Sequence, residues 1–217
     1  MLSLFKKYFL NTYVLLFAVF CLAYLLRVLP YLFGYTIPFA EEGMRDFGLV
    51  NYILDNTKIN FFSSFFDYGA FPVLHLLVAG ISKLFNLDAL KAFLFIPQVF
   101  PSLGIVIFFF FLRRYTSDKL SLLACFLIAV FIPHIYWTGQ PVRETMGLFF
   151  FPVIVYLFDR EFRTSGTIWG RLSLIVAMFF MIPAHHWSAV MTLGWLIFYT
   201  YFFLRLNERL KEAMFTI

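Results

Sequence analysis

The chain is 217 residues long, 62% hydrophobic, 23% aromatic and only 13% charged, with a formal net charge of +5 and a mean hydropathy of +0.85. A water-soluble domain of that make-up would expose more apolar surface than soluble proteins tolerate, so residues 1–217 read as one integral membrane unit. The basic excess sits at the ends of apolar segments and forms no dense block, which points to membrane orientation and away from a nucleic-acid partner.

The first apolar segment, 11–33, follows Lys6 and Lys7. It is too long for a signal-peptide core and lacks a small-residue cleavage site, so it reads as a retained anchor. A first outer loop follows over about 30–69. Within it, Met44, Phe47, Val50 and Leu54 recur at helical spacing behind Glu41 and Glu42, the pattern of an amphipathic helix lying in the interface. Phe61, Phe62, Phe65, Phe66 and Tyr68 add an aromatic patch at headgroup level.

Further apolar segments are 70–85, 92–112, 120–137, 145–158, 172–184 and 187–204. Against a spanning length of about 20 residues, 70–85 and 145–158 are short. Pro97 and Pro101 predict a kink or break in 92–112. Cys21 and Cys125 lie inside apolar runs and read as small packing residues.

Basic residues set orientation. If every segment crossed once from cytoplasmic Lys6 and Lys7, then Arg113, Arg114, Lys119, Arg160, Arg163, Arg171, Arg205, Arg209 and Lys211 would all fall outside. If 70–101 is instead an embedded element that makes no net crossing, all of them become cytoplasmic. That arrangement implies roughly six crossings, with the N-terminus cytoplasmic. The loop before residue 70, the turn 138–144 and the pair His185–His186 then share the extracytoplasmic face.

Ionisable groups beside hydrocarbon are costly, and each is a functional candidate. Glu41, Glu42 and Asp46 can simply start and cap a helix. They can also serve as catalytic carboxylates at the membrane surface, or hold a divalent cation such as Mg2+ or Mn2+. Arg143–Glu144 opens an apolar helix after a Trp-Thr-Gly-Gln-Pro turn. It is either a plain ion pair or an oriented carboxylate beside a phosphate clamp. His185 and His186, being adjacent, face different sides of a helix and make a poor joint metal site, but either can hydrogen-bond a phosphate. His75 and His134, each near a proline, read as structural. There is no Gly-rich phosphate loop, Gly-x-Ser-x-Gly elbow, Cys-x-x-Cys or His-Glu-x-x-His pattern. The middles of the segments are nearly all Phe, Leu, Ile and Val, which argues against a polar transport path.

The order of these pieces resembles the N-terminal part of the GT-C glycosyltransferases, polytopic enzymes that use lipid-phosphate sugar donors. That group includes oligosaccharyltransferase catalytic subunits and protein or lipid mannosyl- and aminoarabinosyltransferases. The likeness rests on a first segment ending Arg27-Val28-Leu29-Pro30, then the acids Glu41-Glu42. The stretch Phe66 to His75 follows, looking like the Gly-x-x-Pro-x-x-His of archaeal members at Gly69, Pro72 and His75. Phe95-Ile96-Pro97-Gln98 comes next, and then Ile132-Pro133-His134 leading to Arg143-Glu144.

The resemblance implies an all-α transmembrane bundle corresponding to an N-terminal half, with a C-terminal half or a partner subunit to complete it. It implies transfer of a sugar from a polyprenyl-phosphate or -diphosphate donor in the bilayer. Glu41 or Glu42 stands where the family usually carries Asp, with Asp46 as the alternative, and Glu144 matches the second-loop acid. Arg143, His185 and His186 would meet the donor phosphate. The other expectation is a non-catalytic membrane subunit that works by binding a partner.

Overall fold

A computed structural model describes residues 2–35, 41–56, 72–163 and 167–215, with side-chain surroundings between residues 11 and 203. The aromatic patch at Phe61–Tyr68 and the Gly69 part of the family-like stretch lie outside the described residues. Every described element is an α-helix: α1 (Leu2–Leu32), α2 (Glu41–Asp55), α3 (Val73–Phe85), α4 (Ala89–Phe95), α5 (Val99–Leu112), α6 (Asp118–Val130), α7 (Ile132–Gly139), α8 (Arg143–Arg163), α9 (Ile168–Ala184) and α10 (His186–Phe215).

Local chemistry explains the boundaries. After α1 the chain turns at Gly34, whose φ of 94° suits a residue without Cβ. Tyr35 N–H then returns to Pro30 O at 3.2 Å. Asp88 caps α4 by accepting the Lys91 N–H at 2.8 Å, and Ser117 caps α6 through the Leu120 N–H. The expected break in 92–112 occurs at Ile96–Gln98. Pro101 is tolerated because it falls in the first turn of α5, where its N–H is not needed.

The expected single segment 120–137 is instead two helices, α6 and α7, bent by 61° at Phe131. Pro133 supplies the reason. It offers no N–H to the carbonyl of Ala129 one turn earlier and its ring would crowd that carbonyl, so the chain leaves the helix at Phe131 and restarts with Pro133 in the first turn of α7.

Three apolar clusters hold the helices together. Val50, Leu74, Val78, Ala79, Ala92 and Phe93 join α2, α3 and α4 to Met146 of α8 and Ala184 of α9. Leu16, Val19 and Ala23 of α1 pack with Ile105 and Phe109 of α5 and with Cys125 and Ala129 of α6. Ile154, Ala177, Met181 and Leu196 join α8, α9 and α10. α5 packs extensively against α8. A Cβ built on Gly104 would stand 3.3 Å from Pro152 Cγ, so glycine lets the two backbones approach.

These contacts define two polar ends. At one, Asp46, His75, Arg143, Glu144 and His185 meet. At the other, Tyr13 meets Arg113, and Tyr115, Arg114, Arg163 and Tyr199 meet Asp159. α1, α5, the α6–α7 pair, α8, α9 and α10 run between the ends, whereas α2, α3 and α4 cover the first end. Asn11–Leu32 and Ala89–Leu112 are long and apolar enough to cross a membrane, and the bent α6–α7 pair makes a third such stretch if it counts as one. Ile175, Phe179, Ile182, Ile197 and Phe198 on α9 and α10 are exposed, as lipid-facing side chains would be.

Candidate functional site at the start of α8

The site is built on three chain reversals. The turn before α8 is held by Thr145, whose hydroxyl donates to Gln140 O at 2.7 Å. α9 and α10 are separated by His185 alone, in extended backbone, which folds the chain back beside the start of α8. α2 and α3 bring in Asp46 and His75 from the other side.

Asp46 is fully buried and accepts on both oxygens. Its Oδ1 lies 2.8 Å from His75 Nε2 and 3.4 Å from Arg143 Nε. Its Oδ2 accepts the backbone N–H of Arg143 at 3.3 Å. That N–H belongs to the first turn of α8 and has no partner within its own helix. Asp46 therefore caps α8 from a distant part of the chain and places a negative charge at the positive end of the helix. His75, fully buried in α3, holds the carboxylate from the opposite side.

One residue on, Glu144 faces a different neighbour. Its Oε1 lies 3.1 Å from His185 Nε2. Ser188 sits 2.8 Å from the other ring nitrogen of His185, and its backbone N–H donates there at 3.4 Å. Nδ1 is thus the acceptor, and the Nε2 proton is directed at Glu144. Burial alone would push the Glu144 carboxyl up, but the His185 hydrogen bond, the helix backbone and the charge of Arg143 outweigh it and hold the carboxyl below its ordinary value. Its second oxygen, Oε2, is itself buried and has no hydrogen-bond partner. The side chain is 27% exposed. Glu144 is therefore an ionised, oriented carboxylate with one oxygen uncommitted.

The remaining residues named from the sequence fall around this pair. Glu41 and Glu42 are exposed in the first turn of α2, one helical turn or so before Asp46, and Glu41 pairs with Arg45. They do not join the Asp46 cluster. The amphipathic reading of α2 rests on Met44, Phe47, Val50 and Leu54, but the buried face runs through Gly43, Asp46 and Val50, while Met44 is exposed. Arg143 is 11% exposed and committed to Asp46. His186 is exposed, and its ring is held below the ordinary imidazole value, by burial first and then by His185 and Arg143. It can meet an anion as a neutral hydrogen-bond donor more readily than as a cation.

His75, Ser188 and Thr145 belong to the site but were not picked out from the sequence as site residues. The partner of His75 lies 29 residues away, so the available signals were its place in the Gly-x-x-Pro-x-x-His stretch and the polarity of a histidine within the apolar 70–85 segment. No group of three or more His, Cys, Asp or Glu residues comes together to hold a metal among the described residues. Asp46 does not fit a divalent cation, because its oxygens already face His75 and Arg143.

At the opposite end, Asp159 is fully buried beneath Tyr115, Tyr199, Arg163 at 2.8 Å and Arg114 at 3.1 Å. Burial first, and then the bond to Asp159, drive the Tyr115 hydroxyl well above the usual phenol range. Arg163 also lies over the Tyr115 ring at 4.5 Å. The full burial of Asp159 among two arginines and two tyrosines marks this cluster as a fastening.

No protein-family model matches this chain, and no curated protein sequence is similar enough to it to count as a relative.

Proposed function

We propose that the chain is the N-terminal part of a polytopic membrane glycosyltransferase that takes its sugar from a polyprenyl-phosphate or -diphosphate on the extracytoplasmic face. The observation that carries this reading is Glu144: a carboxylate kept ionised, aimed by His185, with Oε2 uncommitted and Arg143 adjacent. Support also comes from the order of sequence motifs shared with the GT-C enzymes, and from the gathering of polar outliers at one end of long apolar helices. Such a donor reaches an interfacial site sideways, through the bilayer in which its tail is dissolved.

In the proposed step Glu144 Oε2, enclosed in this structure, is uncovered as the acceptor binds and takes the proton of its nucleophile. The nucleophile forms its bond to the anomeric carbon while the bond from that carbon to the phosphate oxygen breaks. The electron pair leaves with the lipid phosphate, whose growing negative charge faces the positive end of α8, Arg143 and the His186 N–H. Asp46 positions Arg143 and takes no proton in this step. Glu41 or Glu42, at the start of α2, is the second acid.

The test uses the full-length protein in proteoliposomes with a radiolabelled polyprenyl-phosphate hexose, following release of free polyprenyl phosphate. Glu144→Gln should reduce turnover by roughly 100-fold or more, the range expected for a lost general base. Retained transfer in Glu144→Gln, Glu41→Gln and Glu42→Gln alike rules the mechanism out. The commitment of Arg143 to Asp46 favours one other reading, a non-catalytic membrane subunit. Purification of a stable partner, together with absence of transfer by the wild type, would select it.

A further inference from the structure

Arg27 is the largest fully buried side chain and lies in α1, among apolar neighbours. Its Nε–H donates to Thr138 Oγ1 at 2.7 Å and its Nη1–H to Ala23 O at 2.6 Å. Its Nη2 lies 2.7 Å from His134 Nδ1. No carboxylate pairs with it among the described residues. Its hydrogen bonds are satisfied, no carboxylate among the described residues offsets its charge, and a guanidinium does not escape by losing its proton. A buried cation in an apolar helix with no counter-charge among the described residues calls for a ligand.

His134 shows where that ligand sits. A guanidinium only donates, so His134 Nδ1 accepts, and the proton of the neutral ring is on Nε2. His134 is partly exposed and lines a groove of about 540 Å³ between α5, α6, α7 and α8. The walls include Ile105, Phe108, Ile128 and Phe151. The groove exists because Pro133 bends α7 away from α6. It opens between the exposed rings of Phe131 and Trp137, and a tryptophan of that kind suits the headgroup level of a bilayer. A histidine backed by a buried positive charge thus lines an apolar slot, with its Nε2–H free of Arg27.

We infer that this groove holds a bilayer phospholipid with an anionic headgroup. Its phosphate accepts the His134 Nε2–H, and an acyl chain lies against the α5–α8 wall. The apolar lining selects a chain-bearing ligand over a free anion, and Arg27 selects a negative headgroup over a neutral one. The inference rests on the membrane placement of the apolar helices and is independent of the transferase reading.

The test is native mass spectrometry of the protein released from nanodiscs containing equal amounts of phosphatidylglycerol and phosphatidylcholine. The wild type should retain phosphatidylglycerol about tenfold over phosphatidylcholine, because both phosphates can accept from His134 but only phosphatidylcholine brings a choline cation that Arg27 repels. His134→Phe should bring the ratio near unity. Ile128→Trp fills the slot without touching the Arg27 hydrogen bonds, and should lose both lipids while keeping wild-type helicity.

Equal retention of the two lipids by the wild type overturns the inference. So does an unchanged preference in His134→Phe, or a fully loaded Ile128→Trp. Should His134→Phe fail to fold, the wild-type ratio and Ile128→Trp decide. Displacement of the lipid by millimolar inorganic phosphate would assign the site to a free anion and overturn the lipid assignment.

Discussion

Asp46→Asn tests the most demanding part of the site. The carboxylate meets His75 Nε2 at 2.8 Å and Arg143 Nε at 3.4 Å on one oxygen, and the Arg143 backbone N–H at 3.3 Å on the other. Asparagine fills the same volume, but turning its amide either way sets an NH2 group against a donor. It also leaves Arg143, 11% exposed, without its counter-charge. Removing one partner of a buried pair costs about 3–5 kcal/mol, and the slight exposure of Arg143 argues for about 3.

For a chain of this length that is a fall of about 6–12 °C in Tm, readable by thermal unfolding of the detergent-solubilised protein. Adding Arg143→Gln removes the orphaned charge and should recover about 1–2 kcal/mol. A Tm within about 2 °C of the wild type for Asp46→Asn would refute the view that Asp46 fastens α8 to α2 and α3.

Gly147→Ala places a Cβ 2.3 Å from Ser188 Oγ and 2.7 Å from Ser188 Cβ. It should cost about 1–3 kcal/mol and separate α8 from α10, seen as a lower Tm together with reduced transfer. Glu144 has its carboxyl held down in the folded state, so its contribution is present above the ordinary carboxylate value and is lost as pH falls through the folded value. His185→Phe removes the main downward pull, so the variant should be less stable at neutral pH and lose less of its Tm on acidification than the wild type. Asp159→Ala strands Arg114 and Arg163 and should lower stability by about 3 kcal/mol, while donor-lipid binding at the far end, measured by ligand-induced Tm shift, keeps its affinity.

The helices were largely legible because each is a local signal. α2 was expected over 41–54 and is Glu41–Asp55. α9 was expected over 172–184 and is Ile168–Ala184. α8 was underestimated at 145–158 and runs Arg143–Arg163, because a hydropathy reading stops at charges that a helix can carry in its first and last turns. The bend at Phe131 was missed although Pro133 was in view, because the apolar run continues through it.

The site was legible in its members more than in its wiring. Asp46, Arg143, Glu144 and His185 were named in advance, but which acid meets which base depends on pairings across as many as 97 residues. The reading of adjacent histidines as facing different ways is matched by the buried His185 and the exposed His186. His75 and His134 were both set aside as structural. One is the buried partner of Asp46, and the other carries the donor that faces the groove.

α8 is anchored at both extremities, by Asp46 at Arg143 and by Asp159 near Arg163. One inserted residue anywhere between them would rotate the lower half by about 100° and shift it by about 1.5 Å. No compromise in twist would satisfy both clasps. The helix acts as a fixed ruler, and mutations that change its count of residues should be tolerated far less than substitutions along it.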